Sequence, residues 1–402
     1  MSQKTFDFDA PLSRRGTRSL KWDSDRTDGI VQLWVADMDF ATAPVIRQAL
    51  EARVAQGVFG YGIPTSDFFD AIVSWHKARH GALYRRNDIV PTTGVVPAVS
   101  AVLQATCLPG DEVIIQTPAY NCFFSSIRNS GARLSANALK LDETHWAIDF
   151  ADLERRAAST KARALLFCNP QNPTGRVWTR DELLRVEAIC RKHRLILISD
   201  EIHAEFTAPG HRFIPFASVS DWAAENCVTL SAASKAFNLA GLQCAYIIAG
   251  DPVLRNRIDR QVNINEICDA GPLGMEALIA AYSEEGAAWL DALNTYLDGN
   301  RALLQRFLAE ELPECRMPEM EGTYLAWVDF SAFGLSSSEI ERELLSRHRV
   351  RVAAGATYGE TAPGWIRLNL ATQRARLEEG LRRIADWARE RRSQQPAPNT
   401  QR

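Results

Sequence analysis

Lysine is scarce in this chain, with seven lysines against 39 arginines in 402 residues. Other features are missing as well. No apolar run approaches the roughly 18 residues that a membrane span needs. The opening "MSQKTFDFDA" has neither a basic nor an apolar segment, which predicts no signal peptide and no membrane partner. The eight cysteines form no CxxC pair; zinc and disulfide frames are thereby disfavoured, and reduced thiols in the cytoplasm are expected. A net charge of −3 leaves no basic surplus for nucleic acid or an anionic membrane. Internal repeats are lacking too. What remains is an ordinary globular composition, 46% hydrophobic and 24% charged, in a chain long enough for two or three domains.

Six of the lysines, Lys4, Lys21, Lys77, Lys140, Lys161 and Lys192, stand in polar or charged runs, where a solvated surface role is the default. Lys235 is different. It lies in "TLSAASKAFNLAGL" (229–242), among small and apolar residues where burying an ammonium costs stability.

Strands and helices alternate along the chain. Apolar runs at 112–116, 164–169, 195–200, 227–231 and 245–249 read as strands. Between them lie helical patterns, among them "TRDELLRVEAICRKH", opened by a Thr179–Glu182 capping box. Continuous apolar strands separated by helices predict an α/β fold with a mostly parallel sheet covered on both faces. We assign residues 45–285 to this large domain. Residues 1–44 and 286–392 are assigned to a smaller α+β domain, with helices near 286–311, 336–347 and 373–391. The polar end, 393–402, reads as a disordered tail.

In open α/β sheets ligands bind beyond the carboxyl ends of the strands. Asn169, Asp200 and Lys235 all fall there. A structural salt bridge between the acid and the lysine is an equally good reading of position alone. The turn "NPQNPTG" (169–175), with two Asn-Pro steps, adds a rigid platform for the Asn172 amide.

These four segments, "NPQNPTG", "SDEIHAE", "SAASKAFNLAGL" and "WIRLNLA", resemble in order and separation the pyridoxal-phosphate (PLP) enzymes of aminotransferase fold type I. The segments "WVADMDFATAPVI", "GYGIPTSDF" and "TTGVVPAV" narrow the resemblance to the cystathionine β-lyase-like C–S lyases. The likeness implies catalytic roles for Lys235, Asp200 and Tyr120: Lys235 joined to the cofactor aldehyde, Asp200 paired with the pyridine nitrogen, Tyr120 stacked on the ring. Asn172 would donate to the ring's phenolate oxygen and also meet the substrate. The backbone N–H groups of Gly94, Val95 and Val96 would hold the phosphate, with Ser231 or Ser234 adding a hydroxyl. Tyr61 would reach the phosphate from the partner subunit of a homodimer. Arg367 would clamp the substrate's α-carboxylate, an inter-domain salt bridge being the plainer alternative. His203 stands where many relatives of the wider superfamily carry a cofactor-contacting tyrosine, and Gln243 where many carry a phosphate-binding arginine. A metal site at Asp200, Glu201 and His203 has no second ligand set to support it, and no metal is expected.

The implied reaction takes an amino acid with sulfur on Cβ, cystathionine or a cysteine S-conjugate, to a thiol, pyruvate and ammonia. An aminotransferase would use the same lysine, aspartate and arginine. A non-catalytic protein of the same fold would have no physical need to keep them.

Overall fold

The computed structural model describes residues 6–25, 27–142, 144–360 and 362–394. Ser393 and Gln394 continue the Arg374–Gln394 helix. The rest of the tail that composition assigns to disorder, residues 395–402, lies outside the described residues. The chain divides into two compact units. The larger comprises Ala41–Asn294 and Glu321–Thr323; the smaller comprises the described parts of Met1–Phe40, Thr295–Met320 and Tyr324–Arg402.

The larger unit is built on a seven-stranded sheet. Its spatial order is Ile89–Thr92, Ala245–Ala249, Cys227–Ser231, Ile196–Asp200, Ala162–Cys168, Glu112–Thr117, Arg133–Ala138. All strands run parallel except Ala245–Ala249, which is antiparallel to both neighbours. The five inner strands are those with continuous apolar sequence. The two outermost strands lack that pattern, for physical reasons. Arg133–Ala138 leaves alternate side chains in solvent. Ile89–Thr92 contains Pro91, which cannot donate to a ladder and is tolerated at an edge.

Strand pleating sorts side chains onto the two faces of the sheet. Ala164, Leu166, Cys168, Ile198, Val228, Leu230, Ala245 and Ile247 join one core cluster with the Val95–Thr106 helix. Thr229, Ser231 and Tyr246 therefore face the other way, where the Ser66–His80 helix supplies His76 to Tyr246. The Arg180–His193 helix opens with both halves of the Thr179–Glu182 capping box. Residues 321–323 belong to the larger unit because Glu321 binds Arg176 through both carboxylate oxygens at 2.6 Å and Gly322 N–H bonds Gly175 O at 2.8 Å. A Cβ at Gly322 would come within 2.7 Å of Val177 and 2.9 Å of the Phe206 carbonyl, so only glycine fits.

The smaller unit carries a three-stranded antiparallel sheet, Leu325–Asp329, Trp365–Asn369 and Ala353–Ala354. Val31–Gln32 pairs in parallel with Val350–Arg351. Leu304, Ile340, Leu344, Ile366, Leu368, Leu377 and Trp387 fill its core. One expectation fails here. Lys21 is wholly buried in an ion pair with Asp39, not solvated on the surface. Its neighbours in sequence are polar, but Trp22 and Arg14 also turn toward Asp39 and close over the pair. Among the described residues no helix is long and apolar enough to cross a membrane.

Candidate active site

Three parallel strands of the larger unit, Ala162–Cys168, Ile196–Asp200 and Cys227–Ser231, end at one edge. Cys168 and Asp200 are register partners on the face covered by the Val95–Thr106 helix. Asp200 is buried. Burial pushes its carboxyl up to about 6, opposed by the Ile202 N–H at 3.1 Å and by the charge of Lys235. Burial, helped by the same carboxylate, raises the Cys168 thiol well above its ordinary range. Asp200 and Lys235 thus lie within electrostatic reach of one another.

Lys235 sits in the turn after Cys227–Ser231. Ala232, Ala233, Ala236 and Phe237 around it are buried, as the apolar setting implies, while Lys235 itself is half-buried. The turn lies past the strand end, where the small residues tuck inward and the long side chain is left at the edge.

The platform turn is closed by Gln171. Its side chain donates to Pro118 O at 2.7 Å and accepts from Thr174 N–H at 2.9 Å, while Gly175 N–H returns to Gln171 O at 2.8 Å. Asn172 is held there, buried, with its backbone N–H toward the Cys168 sulfur. Asn169 is structural: its amide donates to Ile214 O and accepts from Trp178 N–H.

Gly94 is the N-cap of the Val95–Thr106 helix and brings no side-chain cap. The N–H groups of Val95 and Val96 therefore have no capping side chain, and Pro97 has no N–H at all. This end can receive an anion. Tyr120 precedes the Asn121–Asn129 helix and is half-buried against the same core cluster, its ring 6.0 Å from Phe123 at 78°.

Ser231 does not join this group. Its hydroxyl bonds Tyr246 on the opposite face of the sheet, because pleating turns residue 231 away from the face that holds Asp200. Ser234, half-buried in the turn, remains as the hydroxyl near Lys235. His203 is buried just beyond Asp200, its carbonyl accepting from Phe206 N–H at 3.0 Å. Glu201 takes bonds from Ser199 Oγ at 2.9 Å and Phe216 N–H at 2.8 Å, and burial pushes it up to about 8. Among the described residues no group of three could hold a metal ion. Tyr61 is fully exposed. In the smaller unit Arg367 is buried in Trp365–Asn369, donates to Trp34 O at 2.9 Å and lies 4.8 Å over the Tyr358 ring.

The family model for aminotransferase class I and II matches residues 28–384. The chain belongs to that family. It is 39% identical over 382 residues to the cystathionine β-lyase PatB of Bacillus subtilis (strain 168), covering 94% of this chain and 98% of that protein. Among solved structures it matches cystalysin from Treponema denticola, which contains pyridoxal 5'-phosphate, with TM-score 0.93, 33% identity, and 96% and 99% of the two chains covered. The PLP-bound C–S lyase from Staphylococcus hominis matches with TM-score 0.88 and 32% identity over 94% and 98% of the chains. The fold is that of the type I PLP enzymes, the enzyme is PLP-dependent, and its branch is that of the carbon–sulfur lyases.

The residues present fit the cofactor. Asp200, raised toward 6 by burial, gains from a protonated ring nitrogen beside it. The uncapped helix end suits a phosphate, and Lys235 supplies an amine at the same sheet edge. Sequence reading missed Cys168, Glu201 and the Tyr246–His76 pair. The alternation within the apolar strands was the available signal, since every second residue from Asp200 and Cys168 back shares their face.

Proposed function

We propose that this protein is a carbon–sulfur β-lyase that converts cystathionine or a related cysteine S-conjugate to a thiol, pyruvate and ammonia. The observation that carries the reading is the placement of Asp200 and Lys235 at and just beyond the carboxyl ends of two adjacent parallel strands, at the edge where the uncapped Val95–Thr106 helix also begins. The relatives' names, cystathionine β-lyase and C–S lyase, support the sulfur substrate.

PLP, when bound, supplies the electron sink for the pair left at Cα when its proton departs. The chain's own groups do the rest. Lys235 Nζ takes the Cα proton as base. Asp200 would hold positive charge at the ring nitrogen. Asn172 would donate to the ring oxygen, Tyr120 would cover the ring, and His203 would border it. Gly94, Val95 and Val96 offer backbone N–H groups to the phosphate, with Ser234 adding its hydroxyl. Arg367 binds the substrate α-carboxylate with two parallel N–H bonds. With the carboxylate held by Arg367, the pair left at Cα forms the Cα–Cβ double bond as the C–S bond breaks, the leaving sulfur takes up the proton that Lys235 had removed, and water converts the remaining enamine to pyruvate and ammonia. The active unit is a cytoplasmic homodimer in which Tyr61 reaches the partner's site.

The test is incubation with cystathionine in the absence of any keto acid. Thiol and pyruvate should appear in equal amounts, and Lys235→Ala should abolish both. Turnover that depends on an added keto acid would replace the lyase by an aminotransferase.

A further inference from the structure

The turn that carries Lys235 is anchored at both ends, and both anchors lead to Tyr282. Before the turn, Ser231 bonds the hydroxyl of its cross-strand partner Tyr246. The Tyr246 hydroxyl lies 2.8 Å from His76 Nε2 and 2.8 Å from the Tyr282 hydroxyl. After the turn, Phe237 packs in an aromatic group: 5.9 Å from Trp75, 6.5 Å from Tyr282 and 5.8 Å from Trp289, ring centre to ring centre. Trp75 stacks on Tyr282 at 4.7 Å and 8°, and its indole N–H donates to Glu205 at 2.7 Å. Glu205 in turn bonds His80 at 2.8 Å and pairs with Arg79 at 3.4 Å.

Two observations separate this arrangement from plain core packing. First, apolar side chains alone would bury Phe237 equally well; here Trp75 is fixed in rotation by a charged acceptor and Tyr282 by a hydroxyl bond. Second, Tyr246 has one proton and three hydrogen-bonding neighbours, so it donates to one and accepts from the other two, and the hydroxyls orient one another. His76 is wholly buried, and burial pushes it down to about 3; it stays neutral and does not disturb the set near neutral pH.

Resting on the PLP reading above, we propose that Tyr246, Tyr282 and Trp75 are positioning residues that hold the Lys235 turn from both sides and thereby set where its amine meets the cofactor. None of them lies on the face of the sheet that bears Asp200. They act through Ser231 and Phe237, the one four residues before Lys235 and the other two after it.

Tyr282→Phe keeps the stacked ring and removes the hydroxyl; Trp75→Phe keeps an aromatic and removes the bond to Glu205. Purified holoenzymes of wild type and both variants are compared in three ways: thermal midpoint, kinetics with cystathionine, and the pH at which the visible band of the bound cofactor changes. The expected result is a kcat about tenfold lower with little change in KM, and a visible-band transition displaced in pH for both variants, with Tyr246→Phe behaving likewise. The proposal is overturned if the variants melt lower but retain the wild-type kcat and band transition, since the network would then be structural only. It is overturned equally if all three properties are unchanged. Failure of the PLP reading is distinguishable, because wild type itself would then show no visible band.

Discussion

Lys21 Nζ and Asp39 Oδ2 lie 2.9 Å apart, with both side chains wholly buried in the smaller unit. Asp39 Oδ1 also accepts from Trp22 Nε1 at 2.8 Å and Arg14 Nη1 at 3.1 Å. Burial alone would raise this carboxyl; the charge of Lys21 and the Trp22 bond hold it below its ordinary value. Removing the lysine leaves a buried charge short of a partner. Lys21→Met should cost about 3–5 kcal/mol, and adding Asp39→Leu should recover part of the loss. Urea unfolding measures both. A loss below about 1 kcal/mol for the single variant would show that Arg14 suffices.

Glu201 makes the larger unit sensitive to base. Burial raises its carboxyl to about 8, against 4.5 for the ordinary group. Between those values the unfolded chain has released the proton and the folded chain has kept it, so the folded state loses stability as pH rises. Glu201→Gln removes the titration while leaving an oxygen to accept from Ser199 and Phe216. The variant should gain on wild type by about 1 kcal/mol per pH unit between pH 5 and 8. Urea midpoints at pH 5, 6.5 and 8 test this; a difference that does not vary with pH sinks it.

The inner strands were legible because continuous apolar runs leave few alternatives. The placement of Asp200 at the sheet edge was legible because it ends such a run. The burial of Lys21 was not, since its partner Asp39 lies 18 residues away and only tertiary packing closes the pair. The bond from Ser231 to Tyr246 was not legible either, since proximity to Lys235 in sequence says nothing about which face a strand end presents. Helices such as Ser66–His80 and Pro272–Ala281 gave weak periodic signals, the latter because it is apolar on most sides. Arg367 was singled out through the resemblance carried by "WIRLNLA"; its bond to Trp34 O was not legible, because it depends on a segment more than 300 residues upstream.

Arg367 should govern substrate affinity. Its planar fork suits a carboxylate, and Lys cannot reproduce two parallel bonds. Arg367→Lys should raise KM for cystathionine by about 10–100-fold. For an analogue lacking the α-carboxyl group, wild type and variant should be alike. Steady-state kinetics with both compounds decide the matter: an equal effect on both would assign Arg367 to scaffolding through Trp34.

The loop that carries Tyr61 should be the subunit contact. Val58, Phe59, Tyr61 and Ile63 are 64%, 63%, 103% and 76% exposed, an apolar run that a monomer would leave in water. The loop is nonetheless anchored. A Cβ at Gly62 would come within 2.7 Å of Met275 and 2.9 Å of Pro272, so the backbone rests on the Pro272–Ala281 helix while its neighbours point outward. Phe59→Asp combined with Ile63→Asp places two charges in that surface and should yield monomers in sedimentation velocity runs at micromolar concentration, with lyase activity lost. Tyr61→Phe should remain dimeric and bind cofactor about tenfold more weakly, as expected for one lost hydrogen bond to a charged group. A wild-type protein that sediments as a monomer while still turning over cystathionine would remove the partner subunit from the site.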